Sequence, residues 1–451
     1  MDVEQKSKLS NREAVALNVV RLVESAVEDR VLVLGSLPPG GRDIELVVRP
    51  AEQRAIAELL AAEGFARRGL EWAWFSDCTA YAVELIPAER LSLPPNELAA
   101  LFAEAETLDG LELSHLVRPA PHYLLLLQAR RLVRDGRLHP KRRARIADAL
   151  TEDPQAWAKA RTRAGSWGLV RALGLLELVY ETGMPPRLRP RAQALLELAA
   201  STKGAGEKFD LVRRPVLNKV PRKNRVVGIS GLDGAGKSFQ AQVLRDTLEL
   251  LVVPAVVEWR PLGHNRGLEM IRLSRRLLLP FDRHARATDV PLPQTYDDIP
   301  SDPARKLRER SAIVTHLWTL LVVLANGAFH CRPLLRYPWK GRVVVFDRYV
   351  GDSSVQIRFW YGRQRSLRLE KWLLRILSPK PLRSFWLNVR PEIALIRKGE
   401  FTIAELRRQV AIFDEETKRL GMVVVDGEAP PEQIAAQIAR EVWTAIPALT
   451  R

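Results

Sequence analysis

The stretch GISGLDGAGKS, residues 228–238, decides how the second half of this chain folds. It follows an apolar run and fits the pattern G-x-x-x-x-G-K-S, with a predicted strand before it and a predicted helix after it. Glycines let backbone N–H groups curl around an anion, and the helix N-terminus adds a partial positive charge. The stretch therefore predicts a loop that binds the phosphates of ATP. The predicted contact residues are Gly231, Asp233, Gly234, Ala235, Gly236, Lys237 and Ser238.

Transfer of a phosphoryl group requires charge neutralisation on donor and acceptor and in-line positioning of both. Lys237 is expected to reach the β- and γ-phosphates, and Ser238 to bind Mg²⁺. Further along the chain, Asp347 ends an apolar run beside the predicted loop, where it is expected to hold Mg²⁺ directly or through water. Arg348 follows it and has the planar fork that suits an acceptor phosphate. These residues predict an ATP- and Mg²⁺-dependent kinase.

The second half alternates apolar strands with helical segments. Strands that are apolar throughout, without polar alternation, indicate a parallel sheet covered by helices on both faces. The predicted strands include residues 226–230, 252–259, 343–346, 385–389 and 422–426. The sequence thus predicts an α/β domain with a P-loop NTPase parallel sheet over residues 224–451.

The first half is organised differently. Two predicted strands at 31–34 and 44–48 precede a helical segment and a further strand at 81–86, which indicates an α+β core over residues 1–120. Helical periodicity then continues through 121–200. Residues 201–223 lose this periodicity and gain Gly, Lys and Arg, which is typical of a linker.

Charge and cysteine content limit the classes of ligand and the cellular compartment that are expected. The net charge is +17; residues 1–110 hold 11 Lys/Arg against 19 Asp/Glu, a net of −8, so residues 111–451 carry +25. A basic second part suits phosphorylated ligands, nucleic acid or an anionic surface. No aromatic-interleaved basic motif is present, so no sequence-specific nucleic-acid binding is expected. Two cysteines cannot form a disulfide framework, and the charged N-terminus is unlike a signal peptide, so a cytoplasmic location is expected.

Residues 312–329, AIVTHLWTLLVVLANGAF, carry no Asp, Glu, Lys or Arg. Their length reaches the lower limit for a membrane span. Four polar side chains interrupt the run: Thr315, His316, Thr319 and Asn326. The segment is therefore predicted to be a buried core helix rather than a transmembrane segment.

Several motifs of the second half resemble the thymidylate kinase family. They are GLDGAGKS with its acidic residue at Asp233, FDRYVGDSSVQ (346–356), PEIALIRK (391–398) and VVVDGEAPPEQIAAQI (423–438). The resemblance covers roughly residues 224–451. It implies that Arg348 binds the acceptor monophosphate and that Asp233 contacts the acceptor sugar hydroxyl. It also implies a nucleoside monophosphate as acceptor.

The sequence departs from that family at four points. The Arg-Glu-Pro-Gly motif appears only as WRPLGHNRG (259–267), in which Arg260 is the candidate phosphate ligand. The base-reading arginine is replaced in the stretch Ala325-Asn326-Gly327, and a Pro- and Asp-rich flap is expected at 280–303. The middle of the phosphate loop lacks arginine, so the catalytic arginine is expected from the lid, where Arg397 is the first candidate, with Lys398, Arg407 and Arg408 behind it. Arg407 and Arg408 are expected on the solvated face of a helix.

The first half resembles the nucleotidyltransferase superfamily in its Gly35-Ser36 pair followed by Asp43 and Glu45. Period-two geometry puts Asp43 and Glu45 on one face of a strand. The resemblance implies that these two acids and Glu84 hold two Mg²⁺ ions, although Glu45 replaces the family's Asp. Three interpretations remain open: an active transferase, a degenerate domain that binds a nucleotide or a partner, and a solvated hairpin with unrelated acids.

The sequence thus predicts a nucleotidyltransferase-like domain fused to a thymidylate-kinase-like kinase. Two alternatives stay open for the whole chain. In one, the acceptor is a sugar or glycan intermediate, because the base-reading arginine is missing. In the other, the loop is the switch of a nucleotide-dependent binding or regulatory protein. A small phosphorylated acceptor is the expected partner, and a homodimer is an open expectation.

Overall fold

The computed structural model describes residues 16–35, 43–76, 78–108, 113–201, 225–259, 311–336, 342–361 and 366–446. The chain divides into two compact units. The first comprises Met1–Trp74, Ala80–Asn218 and Ala448–Arg451, and the second comprises Phe75–Thr79 and Lys219–Pro447. The expected flap at 280–303, Arg260 and nearly all of the expected linker lie outside the described residues. The boundaries drawn from the sequence at 120, 200 and 223 stay predictions.

The first unit contains a seven-stranded mixed sheet in the order β3-β4-β5-β2-β1-β7-β6. The strands are β1 (Val31–Val33), β2 (Asp43–Val48), β3 (Ala66–Arg68), β4 (Glu71–Ser76), β5 (Thr79–Pro87), β6 (Glu106–Thr107) and β7 (Leu116–Arg118). Strands β2 and β5 run parallel and place Glu45 directly opposite Glu84. The β3–β4 hairpin was not predicted, because its short strands are rich in Arg and Trp and lack a clear apolar alternation.

The helices of the first unit include α1 (Pro50–Ala62), α2 (Pro95–Ala103), α3 (Pro121–Asp135), α4 (Pro140–Glu152), α5 (Ala156–Ala164), α6 (Val170–Thr182) and α7 (Leu188–Ser201). The last five form the helical region that periodicity predicted over 121–200. Helix α3 is central to them, because it packs against α4, α5, α6 and α7. Its Tyr123 is fully buried and stacks on Trp167, whose indole N–H donates to Glu97.

The second unit contains a five-stranded sheet in the order β12-β11-β8-β10-β9, and its neighbouring strands pair in parallel. The strands are β8 (Val226–Gly231), β9 (Ala255–Trp259), β10 (Val343–Asp347), β11 (Arg383–Asn388) and β12 (Val423–Asp426). Strands β8 and β10 are buried along their whole length. The predicted α/β class, with a parallel sheet flanked by helices, is confirmed. Parallel alignment brings the carboxyl ends of β8 and β10 to one edge of the sheet.

The helices of the second unit are α8 (Lys237–Leu250), α9 (Ala312–Arg336), α10 (Val350–Tyr361), α11 (Arg368–Leu377), α12 (Pro391–Lys398), α13 (Ile403–Leu420) and α14 (Pro431–Ala445). Helix α9 differs from the prediction of a buried core helix. Only 22% of its most apolar window is buried. By length and composition alone, α9 is long enough and apolar enough to cross a membrane, and it is the one such helix among the described residues.

Candidate active site

The phosphate-loop sequence connects β8 to α8. The strand ends at Gly231 and the helix begins at Lys237, with Gly236 as the N-cap at a φ of 85°. Gly234 has a φ of 90°, and a Cβ at this position would lie 2.8 Å from the carbonyl oxygen of Ala394. The loop thus needs glycine at this position for two reasons, since the backbone is left-handed and helix α12 packs directly against it.

The Gly234→Ala variant is expected to bind ATP at least tenfold more weakly. The added methyl group would clash with Ala394, and the loop would have to move to relieve that contact. The left-handed backbone at residue 234 also costs alanine about 1 kcal/mol or more. Isothermal titration with ATP and Mg²⁺ measures the change. Gly421→Ala is the matched control, since Gly421 also has a positive φ of 63° but a Cβ there would have no described atom within 4 Å. That control is expected to lose stability without losing ATP affinity. Equal affinity losses in the two variants would contradict the assigned role of the loop.

The ammonium group of Lys237 lies inside the loop. Its Nζ donates to the carbonyl oxygens of Gly231 at 3.1 Å and Leu232 at 2.7 Å, and lies 3.6 Å from Asp233 Oδ1. The side chain is only 5% exposed. Burial, reinforced by the charge of Arg348, lowers the pKa of Lys237 below its usual value. A buried ammonium is well suited to bind an anion, since an anion offsets the solvation lost on burial.

Oxygen ligands for a divalent cation meet at the ends of α8 and β10. The Ser238 hydroxyl donates to Asp347 Oδ2. Asp347 is 2% exposed, and its Oδ1 is buried without a hydrogen-bond partner in the part of the chain that the structure describes. A buried carboxylate oxygen without a donor is costly. A hydroxyl and a carboxylate with a spare oxygen fit Mg²⁺, which prefers oxygen ligands and retains several waters.

Arg348 follows β10 and pairs with Asp233 across the loop. Its φ of 74° is in the left-handed region, which costs a non-glycine residue about 1 kcal/mol or more. Its backbone N–H donates to the Ile229 carbonyl at 3.0 Å, which anchors this conformation to β8. Burial by itself would raise the pKa of the Asp233 carboxyl, but Arg348 and Lys237 outweigh it and lower that pKa.

These groups line a cavity of about 300 Å³ within the second unit. Its lining residues are Asp233, Gly234, Gly236, Lys237, Ser238, Arg348, Arg397 and Lys398. Four of these side chains are cationic and one is acidic, so the described lining favours a polyanion. Ala235 is buried beneath the loop rather than in the cavity wall.

The four basic residues considered for the predicted lid differ in their contacts with the loop. Arg397 lies at the end of α12, lines the cavity and approaches the Gly234 carbonyl at 3.4 Å. Lys398 lies beside it in the same wall. Arg407 instead pairs with Glu392 and is 67% exposed, while Arg408 stacks on Phe359. Of the four, Arg397 and Lys398 are therefore the two that reach the loop.

Asp352 is a site residue that the sequence did not predict. It is 4% exposed and lies in the first turn of α10. Its two carboxylate oxygens accept from the backbone N–H groups of Gly231 and Tyr349, each at 3.4 Å. Burial raises its pKa, although Lys237 and Arg348 oppose the shift. Asp352 therefore ties the start of the phosphate loop to the residue that follows Arg348. The sequence did contain a sign of this role, an acidic residue in the first turn of the helix that follows the FDRY stretch (346–349).

The Asp352→Ala variant is expected to lower kcat/KM for the acceptor about 100-fold, since it releases the backbone on both sides of the cavity and small misplacements cost that much. Asp352→Asn retains one acceptor oxygen and should recover part of the loss. Because Asn is neutral at every pH, the ratio of wild-type to Asn activity should change as Asp352 titrates. Steady-state kinetics from pH 5 to 9 would test this, with ATP affinity measured in parallel. Activity of the Ala variant equal to wild type would contradict the positioning role.

Two of the acids expected to hold metal in the first unit, Glu45 and Glu84, lie opposite each other on neighbouring strands. Arg131 pairs with Glu45, and it is buried beside Glu84. Arg145 lies near Glu45 and Asp43, and burial lowers the pKa of its guanidinium. Among the described residues, no group of three or more His, Cys, Asp or Glu side chains could hold a metal. The metal set of Asp43, Glu45 and Glu84 stays a prediction, and in this structure Glu45 pairs with the guanidinium of Arg131 from helix α3.

Comparison with known proteins gives partial support for the kinase prediction. No family model matches the chain. A thymidylate kinase from Nostoc sp. (strain PCC 7120) is 27% identical over 177 residues, which is 39% of this chain and 68% of that protein. The similarity supports a kinase-like region in the chain and, at the level of the family, a nucleotide-kinase-like function. The resemblance of the first half to nucleotidyltransferases stays a prediction.

Proposed function

We propose that the second unit transfers the γ-phosphoryl group of ATP to a nucleoside monophosphate or a similar small acceptor. The observation that carries the proposal is the cationic cavity, in which the side chains of Lys237, Arg348 and Arg397 converge on the phosphate loop. Such convergence suits a reaction in which catalysis consists of positioning and neutralising charge. The similarity to a thymidylate kinase supports the same reaction class.

Each group has a distinct task in the proposed reaction. An oxygen of the acceptor attacks the γ-phosphorus, the bond from phosphorus to the β–γ bridging oxygen breaks, and ADP leaves with that electron pair. Lys237 and the loop N–H groups bind the donor phosphates, while Arg348 holds the acceptor phosphate. Arg397 neutralises charge on the transferring group. Ser238 and Asp347 would hold Mg²⁺, which neutralises the developing charge between β- and γ-oxygens.

A sugar-phosphate or glycan intermediate is the second candidate acceptor, and a packing contact favours it. Gly327 is the residue at the place of the family's base-reading arginine. A Cβ at Gly327 would lie 2.6 Å from Leu377 Cβ, so this position is used for packing α9 against α11. The neighbouring Asn326 donates to Val322 within its own helix at 2.7 Å. Neither residue presents a side chain that would read a thymine base.

An acceptor panel tests the proposal. The full chain is incubated with ATP and Mg²⁺, and ADP release is measured with dTMP, the other nucleoside monophosphates and a set of sugar phosphates. We expect acceptor-dependent ADP release that disappears in Lys237→Ala. Efficient phosphorylation of dTMP would dismiss the sugar candidate. ADP release that no acceptor accelerates, together with ATP-dependent binding of a partner, would instead indicate the regulatory alternative.

A further inference from the structure

Four helix ends meet at one place in the helical region of the first unit. Arg134, in the last turn of α3, and Arg142, in the first turn of α4, both pair with Asp135, at 3.1 Å and 2.7 Å. Arg191, in the first turn of α7, donates to the carbonyl oxygens of Val133 at 2.8 Å and Arg134 at 2.7 Å. The end of α3 therefore holds the beginnings of both α4 and α7.

The end of α6 lies against the same first turn of α4. The Arg143 guanidinium lies over the Tyr180 ring, 5.1 Å from its centre. A Cβ at Gly183, the C-cap of α6, would lie 3.6 Å from Arg143 Nη1. Because this turn of α4 also pairs with α3, the contacts join the four helix ends into one surface. We call this surface, formed by residues 134–143 and 180–191, the basic end.

The basic end is strongly cationic. Its two stretches hold eight Lys/Arg and two Asp/Glu. The cations are Arg134, Arg137, Lys141, Arg142, Arg143, Arg187, Arg189 and Arg191. Of the two acids, Asp135 already pairs with two arginines, and Glu181 is the other. The exposed cations are Arg137, Lys141, Arg143, Arg187 and Arg189. Within the described part of the chain, the four arginines among these five have no carboxylate within ion-pair distance.

This arrangement of charge is unfavourable for the protein by itself. The first turns of α4 and α7 carry no acid and carry cations instead, at helix ends that already have a partial positive charge. Like charges that lie close together also repel one another and destabilise the folded state. A bound polyanion would offset both effects, so the first unit is expected to be more stable when an anion covers the basic end.

The composition of the basic end favours a phosphodiester backbone as the partner. Four of the five exposed cations are arginines, whose planar fork matches two oxygens of a phosphate group. They are spread over the turns before α4 and α7 and the first turns of these helices, which suits repeated phosphates better than one small anion. Insertion into a membrane needs exposed apolar side chains. Among the described side chains of the basic end, Met184 is the one large apolar group that is exposed.

We propose that the basic end binds a nucleic-acid strand through its phosphate backbone, without reading the base sequence. The side chains that contact phosphates are the exposed cations Arg137, Lys141, Arg143, Arg187 and Arg189. The proposal does not rest on the kinase reaction, because the basic end belongs to the first unit and none of its residues lines the cavity of the second.

Fluorescence anisotropy with the full chain tests the proposal. The probes are a short labelled single-stranded RNA, a scrambled RNA of the same composition and a single-stranded DNA of the same length. We expect equal affinity for the two RNAs, because no base is read. The affinity should fall as salt is added. Five phosphate contacts predict a slope of log K against log salt of about −3 to −4, at about −0.7 for each contact.

The double variant Arg187→Gln/Arg189→Gln should weaken binding about 20-fold near 0.1 M salt and make the salt slope shallower by about 1.4, as expected for two lost phosphate contacts. Because two mutually repelling cations are removed, its melting temperature in low salt should equal or exceed that of wild type. The matched control is Arg161→Gln/Arg171→Gln, which removes two exposed arginines of the first unit outside the basic end. The control should bind like wild type.

Binding of RNA, of DNA or of both supports the proposal when the basic-end variant weakens it and the control does not. Absence of binding to all of these strands, or equal losses of affinity in the two double variants, overturns it. Vesicles of phosphatidylcholine mixed with phosphatidylglycerol provide the comparison with a membrane. Binding of the wild-type chain to these vesicles but to neither RNA nor DNA would also overturn the proposal.

Discussion

Replacing Lys237 with alanine is expected to lower kcat/KM for ATP by about 10³-fold or more, the loss that follows removal of one preorganised charge donor from a water-poor site. The side chain is buried at the centre of the loop, and within the described part of the chain its ammonium donates to two loop carbonyls. Because burial disfavours its charge and lowers its pKa, the ammonium gains more from a bound phosphate than an exposed lysine would. Both ATP affinity and turnover should therefore fall, as measured by titration calorimetry and coupled ADP release.

Lys418→Ala is the control for this substitution. Lys418 is exposed on helix α13 and does not line the cavity, so its loss should leave both quantities unchanged. Melting temperatures of both variants show whether the fold is intact. Turnover of Lys237→Ala at the wild-type level would contradict the proposed role of the loop and, with it, the proposed kinase function.

The second large effect is expected for Arg397→Ala, which should reduce kcat about 10³-fold while ATP affinity changes much less. An arginine that meets the transferring phosphoryl group contributes at least that factor in related chemistry. The side chain reaches the loop from α12, and helix packing at Gly234 fixes that approach. Single-turnover kinetics at saturating ATP isolates the chemical step from binding.

Arg407→Ala is the matched comparison for Arg397→Ala. Arg407 lies in the same lid region but is paired with Glu392 at the surface, so its removal should change kcat by less than about twofold. Equal losses in the two variants would show that the general positive charge of the region matters rather than the position of Arg397. An increase in the KM for ATP alone, with kcat unchanged, would assign Arg397 to substrate binding.

The glycine-rich loop and the parallel sheet could be predicted from the sequence, because each depends on patterns among residues that are close together in the chain. A glycine-rich turn between a buried strand and a helix has few conformations, so residues 231–238 could be assigned to one loop. The parallel sheet followed from strands that are apolar throughout. The position of Arg260 remains a prediction, since it lies outside the described residues.

Contacts between residues that are far apart in the chain could be found only in the folded structure. Asp352 was overlooked because its two partners, Gly231 and Tyr349, meet only when β8 and β10 pair in parallel. The pairing of Arg131 with Glu45 joins residues 86 positions apart, and no local pattern indicates it.

The sequence by itself determined that a glycine-rich turn joins a buried strand to a helix and that an α/β unit surrounds it, because both depend on neighbouring residues and on strand and helix periodicity. Only the tertiary structure decided which distant charges reach the loop. It brings Arg348 and Arg397 to one cavity at this loop, although they lie far apart in the chain. Only the structure, likewise, decided that helix α9 is exposed, because hydrophobicity predicts a preference for burial and the packing of the other elements determines which side is covered.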